Sequence, residues 1–216
     1  MLNYPKKISL VGTVSTHTRT RTSDILIIMN LVLIRHSKSL VNPDIPIPTW
    51  GLSDEGIILA KKINELTQIK TLDVIYSSLQ TKALETAVLA TKNIGIPIKT
   101  DVRLTETTSF TNKFVNLEQL QKNTKKYYSG KQISINNGET SEEALARFNA
   151  SINDIVKNED KNNIGIVSHG NILADFSSQY SQVDAYQLVE SMKQPDIAVF
   201  DWDKKQFVTF FGDIVV

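Results

Sequence analysis

Two of the chain's three histidines come directly after short apolar runs. Arg35 and His36 follow the run at 31–34, and His169 follows the run at 163–168. Unbroken runs of this kind are typical of strands buried on both faces of a parallel sheet. Because ligands bind beyond the carboxyl ends of such strands, neighbouring strands would bring both imidazoles into one crevice. A lone histidine is more often structural, but two at matching strand ends, one beside an arginine, favour a shared site.

These residue types suit the transfer of a phosphoryl group. An imidazole nitrogen can attack phosphorus and carry the phosphoryl group covalently, which divides one difficult step into two. Arginine suits phosphate because its planar guanidinium donates two parallel hydrogen bonds. A second, protonated imidazole can stabilise the charged group, and a carboxylic acid must protonate the leaving alkoxide. The arginine beside His36 favours this histidine, rather than His169, as the nucleophile.

The rest of the pattern indicates alternating strands and helices. Apolar runs predict strands at 31–34, 72–76, 96–101 and 163–168, and a closing hairpin at 197–202 and 207–211. Capping and breaking residues predict helices at 53–68, 79–93, 140–157 and 171–190. This alternation predicts an α/β fold, a three-layer sandwich with a mostly parallel central sheet and helices on both faces.

Three segments fall outside this alternation. Residues 42–50 contain three prolines and are expected to form an irregular loop. Residues 107–137, with an amphipathic piece at 114–127, are interpreted as an insertion that shapes the substrate pocket of a single domain at 29–216. Residues 1–28 carry four basic residues against one acidic residue and show no secretory pattern. They could be a plain tail, a transit-type segment or, as we favour, sequence upstream of a true start at Met29.

The composition excludes several classes of function. The chain has 216 residues, which fits one domain, and its net charge of +1 directs it to neither nucleic acid nor membrane. It has no cysteine, so disulfides, thiolate chemistry and cysteine-based zinc sites are excluded. The absence of cysteine suits a reducing compartment, and a cytoplasmic location is expected. The apolar stretch at 25–34 is too short for a membrane span, which needs about 20 residues.

Six short motifs resemble those of the histidine phosphatase superfamily, in the branch that contains cofactor-dependent phosphoglycerate mutases and related small phosphatases. In chain order they are residues 31–37 with Asn42, 52–56, 76–87, 104–106, 138–140 with Arg147, and 167–170. Each motif is weak by itself, but six in this order and spacing are specific. The resemblance covers essentially all of residues 29–216.

The resemblance implies a role for each site residue. His36 would form a phosphohistidine, Glu106 would protonate the leaving group and later activate water, and His169 would complete the phosphate pocket. The residues that would bind phosphate oxygens are Arg35, Asn42 and Lys82. From the residues alone, a role outside the site stays open for three of these positions. They are a solvated loop carboxylate at Glu106, a turn residue at Asn42 and an exposed helix lysine at Lys82.

Two positions depart from the family's pattern. Ser37 stands where a glycine usually follows the nucleophile, and we expect this small side chain to be tolerated. Lys82 stands where the family has a second phosphate-binding arginine. Lysine keeps the charge but cannot make the two parallel hydrogen bonds. We therefore expect weakened or altered phosphate binding rather than lost chemistry.

The predicted function is a metal-independent phosphatase that hydrolyses a small phosphorylated metabolite through a phosphohistidine. It would be a phosphoric monoester hydrolase without a cofactor, and its only predicted partner is the substrate. Mutase activity is less expected, since mutases, by resemblance, have a longer insertion and C-terminal tail. One alternative is a phosphate-ligand sensor or interaction module, with Ser37 and Lys82 as signs of relaxed catalysis. A metal site on His36 and His169 is disfavoured because Arg35 would repel a divalent cation.

Overall fold

A six-stranded sheet forms the centre of the computed structural model, which describes residues 28–216. The predicted N-terminal extension, apart from Ile28, lies outside the described residues. The strands are β1 (Asn30–Arg35), β2 (Val74–Ser77), β3 (Ile98–Thr100), β4 (Asn163–Ser168), β5 (Asp196–Asp201) and β6 (Gln206–Thr209). Their order in the sheet is β3-β2-β4-β1-β5-β6. The pairings among β1 to β4 are parallel, whereas β5 is antiparallel to both of its neighbours.

The two predicted histidine-bearing strands are neighbours. In the parallel pair β1 and β4, Arg35 lies opposite Ser168, so the next residues, His36 and His169, leave the sheet side by side. The backbone N–H of His36 donates to the carbonyl of Ser168 at 2.9 Å, which continues the pairing by one residue. The register of one strand pair therefore sets the relative height of the two imidazoles.

The described part of the chain contains seven α-helices. They are α1 (Asp54–Ile63), α2 (Thr67–Lys70), α3 (Thr81–Ala90), α4 (Leu117–Tyr127), α5 (Ser141–Asn158), α6 (Gly170–Ser178) and α7 (Ala185–Ser191). Ser53 begins α1 by accepting a hydrogen bond from the N–H of Gly56, and Thr140 begins α5 in a capping box with Glu143. None of the described helices combines the length and the apolar character that a membrane span requires.

Alternate residues of β1 face two separate apolar cores. Leu31 and Leu33 pack in one core with α5 and α6, while Val32 and Ile34 pack in the other with residues of α1 and α3. Burial on both faces explains why the strand is an unbroken apolar run rather than an alternating one. The predicted three-layer α/β fold with a mostly parallel sheet is confirmed.

Two predicted helices are each divided in the structure. The helix predicted at 53–68 ends at Ile63, where the side chain of Asn64 donates to the carbonyls of Ala90 and Lys92. The helix predicted at 171–190 consists of α6 and α7. Asp184 caps the start of α7, because its side chain accepts hydrogen bonds from the backbone N–H groups of Tyr186 and Gln187. The apolar periodicity of 171–190 predicts one helix, but the capping residue Asp184 begins a second helix within it.

Candidate active site

The side chains of His36 and His169 share one crevice at the carboxyl ends of β1 and β4. Their ring centres are 5.0 Å apart with an angle of 61° between the planes, and both residues are buried. The crevice has a volume of about 210 Å³. It is lined by Arg35, His36, Ser39, Val41, Ile47, Trp50, Lys82, Glu106, Phe110, Thr111, Leu120, His169, Gly170, Asn171 and Gln194. Five of the six predicted site residues are therefore brought together.

The hydrogen bonding of His36 prepares one ring nitrogen for attack. Its Nδ1 lies 2.7 Å from the carbonyl oxygen of Ser37, and because a carbonyl only accepts, Nδ1 carries the hydrogen. The Nε2 atom is then left with its lone pair. Burial, and secondly the charge of Lys82, hold the pKa of His36 well below its usual range. His36 is therefore neutral near pH 7, which is the form that a nucleophile requires.

His169 lies on the other side of the crevice and is completely buried. Its Nε2 pairs with the hydroxyl of Ser78 at 2.8 Å, and its Nδ1 is without a hydrogen-bond partner among the described residues. Burial, and then the neighbouring His36, hold the pKa of His169 well below its usual range. The predicted protonated second imidazole therefore requires the negative charge of a bound phosphate to offset these effects.

The guanidinium of Arg35 is packed against the start of α6. Its Nη1 donates to the carbonyl of Met192 at 2.6 Å, while its Nε is buried without a partner among the described residues. A Cβ atom on Gly170 would lie 3.0 Å from the guanidinium carbon, so glycine at this position permits the close approach. The unpaired Nε is a donor that a phosphate oxygen could satisfy.

Lys82 lies in the first turn of α3 and is 5% exposed, although lysine is rarely buried. Its Nζ lies 5.7 Å from the ring centre of Trp50, and the side chain lines the crevice rather than the solvent-facing side of the helix. Burial lowers the pKa of Lys82 to about 8, against the opposing effect of the Glu106 carboxylate. The location suits the predicted phosphate ligand, and that role stays a prediction.

The lowered pKa of Lys82 leads to a prediction about pH. Lys82 loses its charge as the pH rises through about 8, so kcat/KM for a phosphomonoester is expected to fall above that pH. The substrate is already a dianion there because its second pKa is about 6. Lys82→Arg should remove this decline, since arginine stays charged, whereas Lys82→Met should lower kcat/KM about 10- to 100-fold near pH 7. Profiles of kcat/KM from pH 6.5 to 10 test this, and an unchanged decline in Lys82→Arg would exclude Lys82 as its cause.

Glu106 lies against the N-terminus of α6, where backbone N–H groups that have no partner within the helix can donate to its oxygens. Its Oε1 accepts from the N–H groups of Thr107 at 2.9 Å and Ile172 at 3.1 Å. Its Oε2 accepts from both the backbone and the side-chain nitrogen of Asn171, each at 3.1 Å. These contacts fix a buried carboxyl group in the wall of the crevice, so Glu106 is not a solvated loop residue.

A partly buried ion pair holds the segment that carries Glu106. Arg147 pairs through Nε and Nη2 with the two carboxylate oxygens of Glu139, at 2.7 and 2.8 Å. Its Nη1 donates to the carbonyls of Arg103 and Thr105 at 2.6 and 3.1 Å. The motif at 138–140 and Arg147, which the resemblance left without a role, therefore join the segment before Glu106 to α5.

We expect Arg147→Ala to destabilise the protein by about 1–3 kcal/mol, because it leaves a carboxylate and two carbonyl groups without their donor. It should also lower kcat by loosening the segment that carries Glu106. Thermal unfolding and turnover measure the two effects. Lys38→Ala is a matched control, since it removes an exposed pair with Glu55 that is worth about 0–1 kcal/mol. Equal unfolding temperatures for the two variants would contradict the stabilising role of Arg147, and an unchanged kcat in Arg147→Ala would contradict its positioning role.

Asn42 is the predicted site residue that the structure places outside the crevice lining. Its side-chain oxygen accepts from the N–H of Asp44 at 3.0 Å, and its carbonyl accepts from the indole N–H of Trp50 at 2.7 Å. These contacts are those of a turn residue before Pro43. Its assignment as a phosphate ligand stays a prediction that would require the loop to move.

Ser37 is buried and uses its hydrogen-bonding groups within the fold. Its hydroxyl donates to the carbonyl of Gly56 at 2.7 Å, and its N–H donates to the hydroxyl of Thr86 at 3.0 Å. The serine therefore ties the turn after β1 to α1 and α3. Its hydroxyl is engaged there rather than directed to a phosphate.

Sequence reasoning gave no role to several residues that the structure brings to the site. Asn171 holds the carboxyl group of Glu106, Ser78 pairs with His169, and Trp50 covers Lys82. Asn171 and Ser78 stand inside or beside recognised motifs, which is a signal that could have found them. Trp50 is the last residue of the proline-rich loop, and nothing in the nearby sequence indicates that its side chain reaches the crevice.

A mostly parallel α/β sheet thus brings two buried histidines, an arginine and a carboxyl group to its carboxyl edge. The chain matches the family model of the histidine phosphatase superfamily (branch 1) over residues 31–209, and it belongs to that superfamily. The resemblance inferred from the motifs is confirmed. Among curated proteins, no significant match to the chain was found.

Several solved structures have a similar fold. A mycobacterial glucosyl-3-phosphoglycerate phosphatase in complex with VO3 is 18% identical, with a TM-score of 0.66 over 87% of this chain and 98% of its own. A mutant phosphoserine phosphatase from Entamoeba histolytica, in complex with phosphoserine, is 22% identical, with a TM-score of 0.68 over 86% of this chain and 97% of its own. A putative alpha-ribazole-5'-P phosphatase from Escherichia coli is 21% identical, with a TM-score of 0.66 over 85% and 95%. At these identities the likeness concerns the fold.

Proposed function

We propose that the protein is a phosphatase that hydrolyses a small phosphorylated substrate through a phosphohistidine at His36. The observation that carries this proposal is the state of the His36 ring, which is neutral, fixed through Nδ1 and left with an unprotonated Nε2 beside a cationic crevice. Family membership supports the same reaction class. Two structural relatives are phosphatases named for small phosphorylated compounds, which supports a small substrate for this protein.

In the first step, Nε2 of His36 attacks phosphorus and forms a P–N bond. The P–O bond to the leaving group breaks, and the leaving oxygen takes a proton from Glu106. Arg35 and Lys82 balance the charge on the transferring group, since both line the crevice and a buried cation interacts strongly with an anion. The partnerless Nδ1 of His169 can bind one further phosphate oxygen if it carries a hydrogen.

In the second step, water attacks the phosphohistidine. Glu106, now a carboxylate, accepts a proton from the water, the P–N bond breaks, and its electron pair returns to Nε2 of His36. Inorganic phosphate is released, and Glu106 is again protonated for the next cycle. No redox partner is needed for this sequence to balance.

The direct test is hydrolysis of p-nitrophenyl phosphate by the whole chain in excess chelator. Chelator-resistant turnover is the expected result, and loss of activity on chelation would overturn the metal-independent mechanism. Residues 28–216 contain no group of three or more histidine, cysteine, aspartate or glutamate side chains placed to hold a metal ion. Binding of inorganic phosphate without turnover of a broad panel of phosphomonoesters would instead favour the sensor.

A further inference from the structure

A second cavity adjoins the histidine crevice. Its volume is about 270 Å³, and it lies between the loop at 42–50 and the segment around α4. The lining of this apolar chamber comprises Val41, Ile47, Trp50, Ser109, Phe110, Lys113, Phe114, Val115, Leu117, Leu120, Asn123 and Asn136. The residues it shares with the crevice are Val41, Ile47, Trp50, Phe110 and Leu120. The two cavities are therefore neighbouring parts of one site.

The walls of the apolar chamber are aromatic and aliphatic. Trp50 and Phe114 contact each other edge to face, with ring centres 5.7 Å apart, and Trp50 also faces the ammonium of Lys82. Leu117, Leu120 and Phe114 remain 70%, 39% and 39% exposed. Apolar side chains clustered around a concavity in this way mark a binding site for an apolar group.

Three polar side chains of the chamber already make hydrogen bonds within the fold. The hydroxyl of Ser109 donates to the carbonyl of Glu139 and accepts from the N–H of Ile135. The side-chain nitrogen of Asn136 donates to the carbonyl of Ser109, and the side-chain oxygen of Asn123 accepts from Gln119. Few free donors or acceptors remain to bind the hydroxyl groups of a sugar. Lys113 is the single charged residue in this lining.

We propose that the substrate is an amphiphilic phosphomonoester, whose phosphate lies in the histidine crevice and whose aromatic or alkyl group fills the apolar chamber. This inference rests on the proposed phosphatase function and specifies its substrate class. The shared lining residues carry it, because they place the two cavities side by side, within the reach of one small molecule. Together the cavities reach the range of about 300–1,000 Å³ that is typical of small-ligand sites.

The test compares ethyl, butyl and hexyl phosphate, whose leaving alcohols have nearly equal pKa values. Each methylene group buried in the apolar chamber is expected to raise kcat/KM by up to about fourfold. Hexyl phosphate should therefore exceed ethyl phosphate by at least about tenfold, and it should also exceed phosphoserine. Equal or falling kcat/KM along the series would overturn the inference while leaving the phosphatase in place. Turnover of none of these esters, nor of p-nitrophenyl phosphate, would refute the proposed function itself.

Two variants distinguish the chamber from a general effect of chain length. Phe114 and Leu117 line the apolar chamber but not the histidine crevice. Phe114→Ser and Leu117→Ser should each reduce the preference for hexyl over ethyl phosphate, measured as the ratio of the two kcat/KM values, at least about threefold. Val208→Ser is the matched control, because Val208 on β6 is 61% exposed, a value between those of Phe114 and Leu117, and lines neither cavity. An unchanged preference in both chamber variants would contradict the proposal.

A second copy of the chain is the competing occupant of the exposed apolar rim. Sedimentation of the wild type and of Phe114→Ser, with and without hexyl phosphate, separates the two cases. The proposal expects the same association state in all four samples. A dimer that Phe114→Ser dissociates, together with a flat chain-length series, would assign the apolar chamber to self-association and overturn the proposal.

Discussion

His36→Ala is expected to lower chelator-resistant hydrolysis of p-nitrophenyl phosphate by at least about a thousandfold. The variant loses the atom that forms the P–N bond, and water must then attack phosphorus without covalent assistance. Arg35, Lys82 and His169 remain, so inorganic phosphate should still bind. Loss of turnover with retained phosphate binding is therefore the expected pair of results, measured by initial rates and by isothermal calorimetry.

The chain offers a matched control for this substitution. His17 lies outside the described residues and outside the strand-end pair, so His17→Ala should retain wild-type turnover. Rapid acid-free quenching of the wild type with substrate should yield a phosphorylated peptide that contains His36 and loses its phosphate in acid, as phosphoramidates do. A phosphopeptide that contains His169 instead would reverse the assigned roles. Substantial activity in His36→Ala would refute the covalent mechanism.

The relation between His36 and His169 could be predicted because it depends on local sequence. An unbroken apolar run indicates a strand buried on both faces, and a residue just beyond such a strand lies at the carboxyl edge of the sheet. Two runs with histidines at the same position therefore predict one crevice. The structure adds the register, with Arg35 opposite Ser168, which a sequence does not specify.

Other features of the site depend on contacts between distant parts of the chain. The lysine at position 82 fits a solvent-exposed helix in the sequence, yet Trp50 and the crevice bury it and lower its pKa. Glu106 is fixed by residues more than sixty positions away at the start of α6. Burial and long-range hydrogen bonds of this kind follow from tertiary packing, so local patterns do not report them.

Glu106→Gln is expected to lower kcat/KM for hexyl or ethyl phosphate by about 10²- to 10⁴-fold, the usual contribution of a general acid. For p-nitrophenyl phosphate the loss should be much smaller, because p-nitrophenolate leaves without a proton. The amide also places an NH2 group against the N–H donors of Asn171 and Ile172, which disturbs the start of α6. That disturbance lowers kcat/KM for both substrates. The ratio of the loss for an alkyl phosphate to the loss for p-nitrophenyl phosphate therefore measures the contribution of proton transfer alone.

The comparison must use kcat/KM, because Glu106 is proposed to act in both steps. The value of kcat/KM reports the steps up to formation of the phosphohistidine, whereas kcat includes its hydrolysis. With p-nitrophenyl phosphate, Glu106→Gln should therefore release a burst of p-nitrophenolate and accumulate the phosphoenzyme, since water lacks its base. Equal losses of kcat/KM for both substrates, without a burst, would show that Glu106 only supports α6. The acid would then have to be another residue of the crevice.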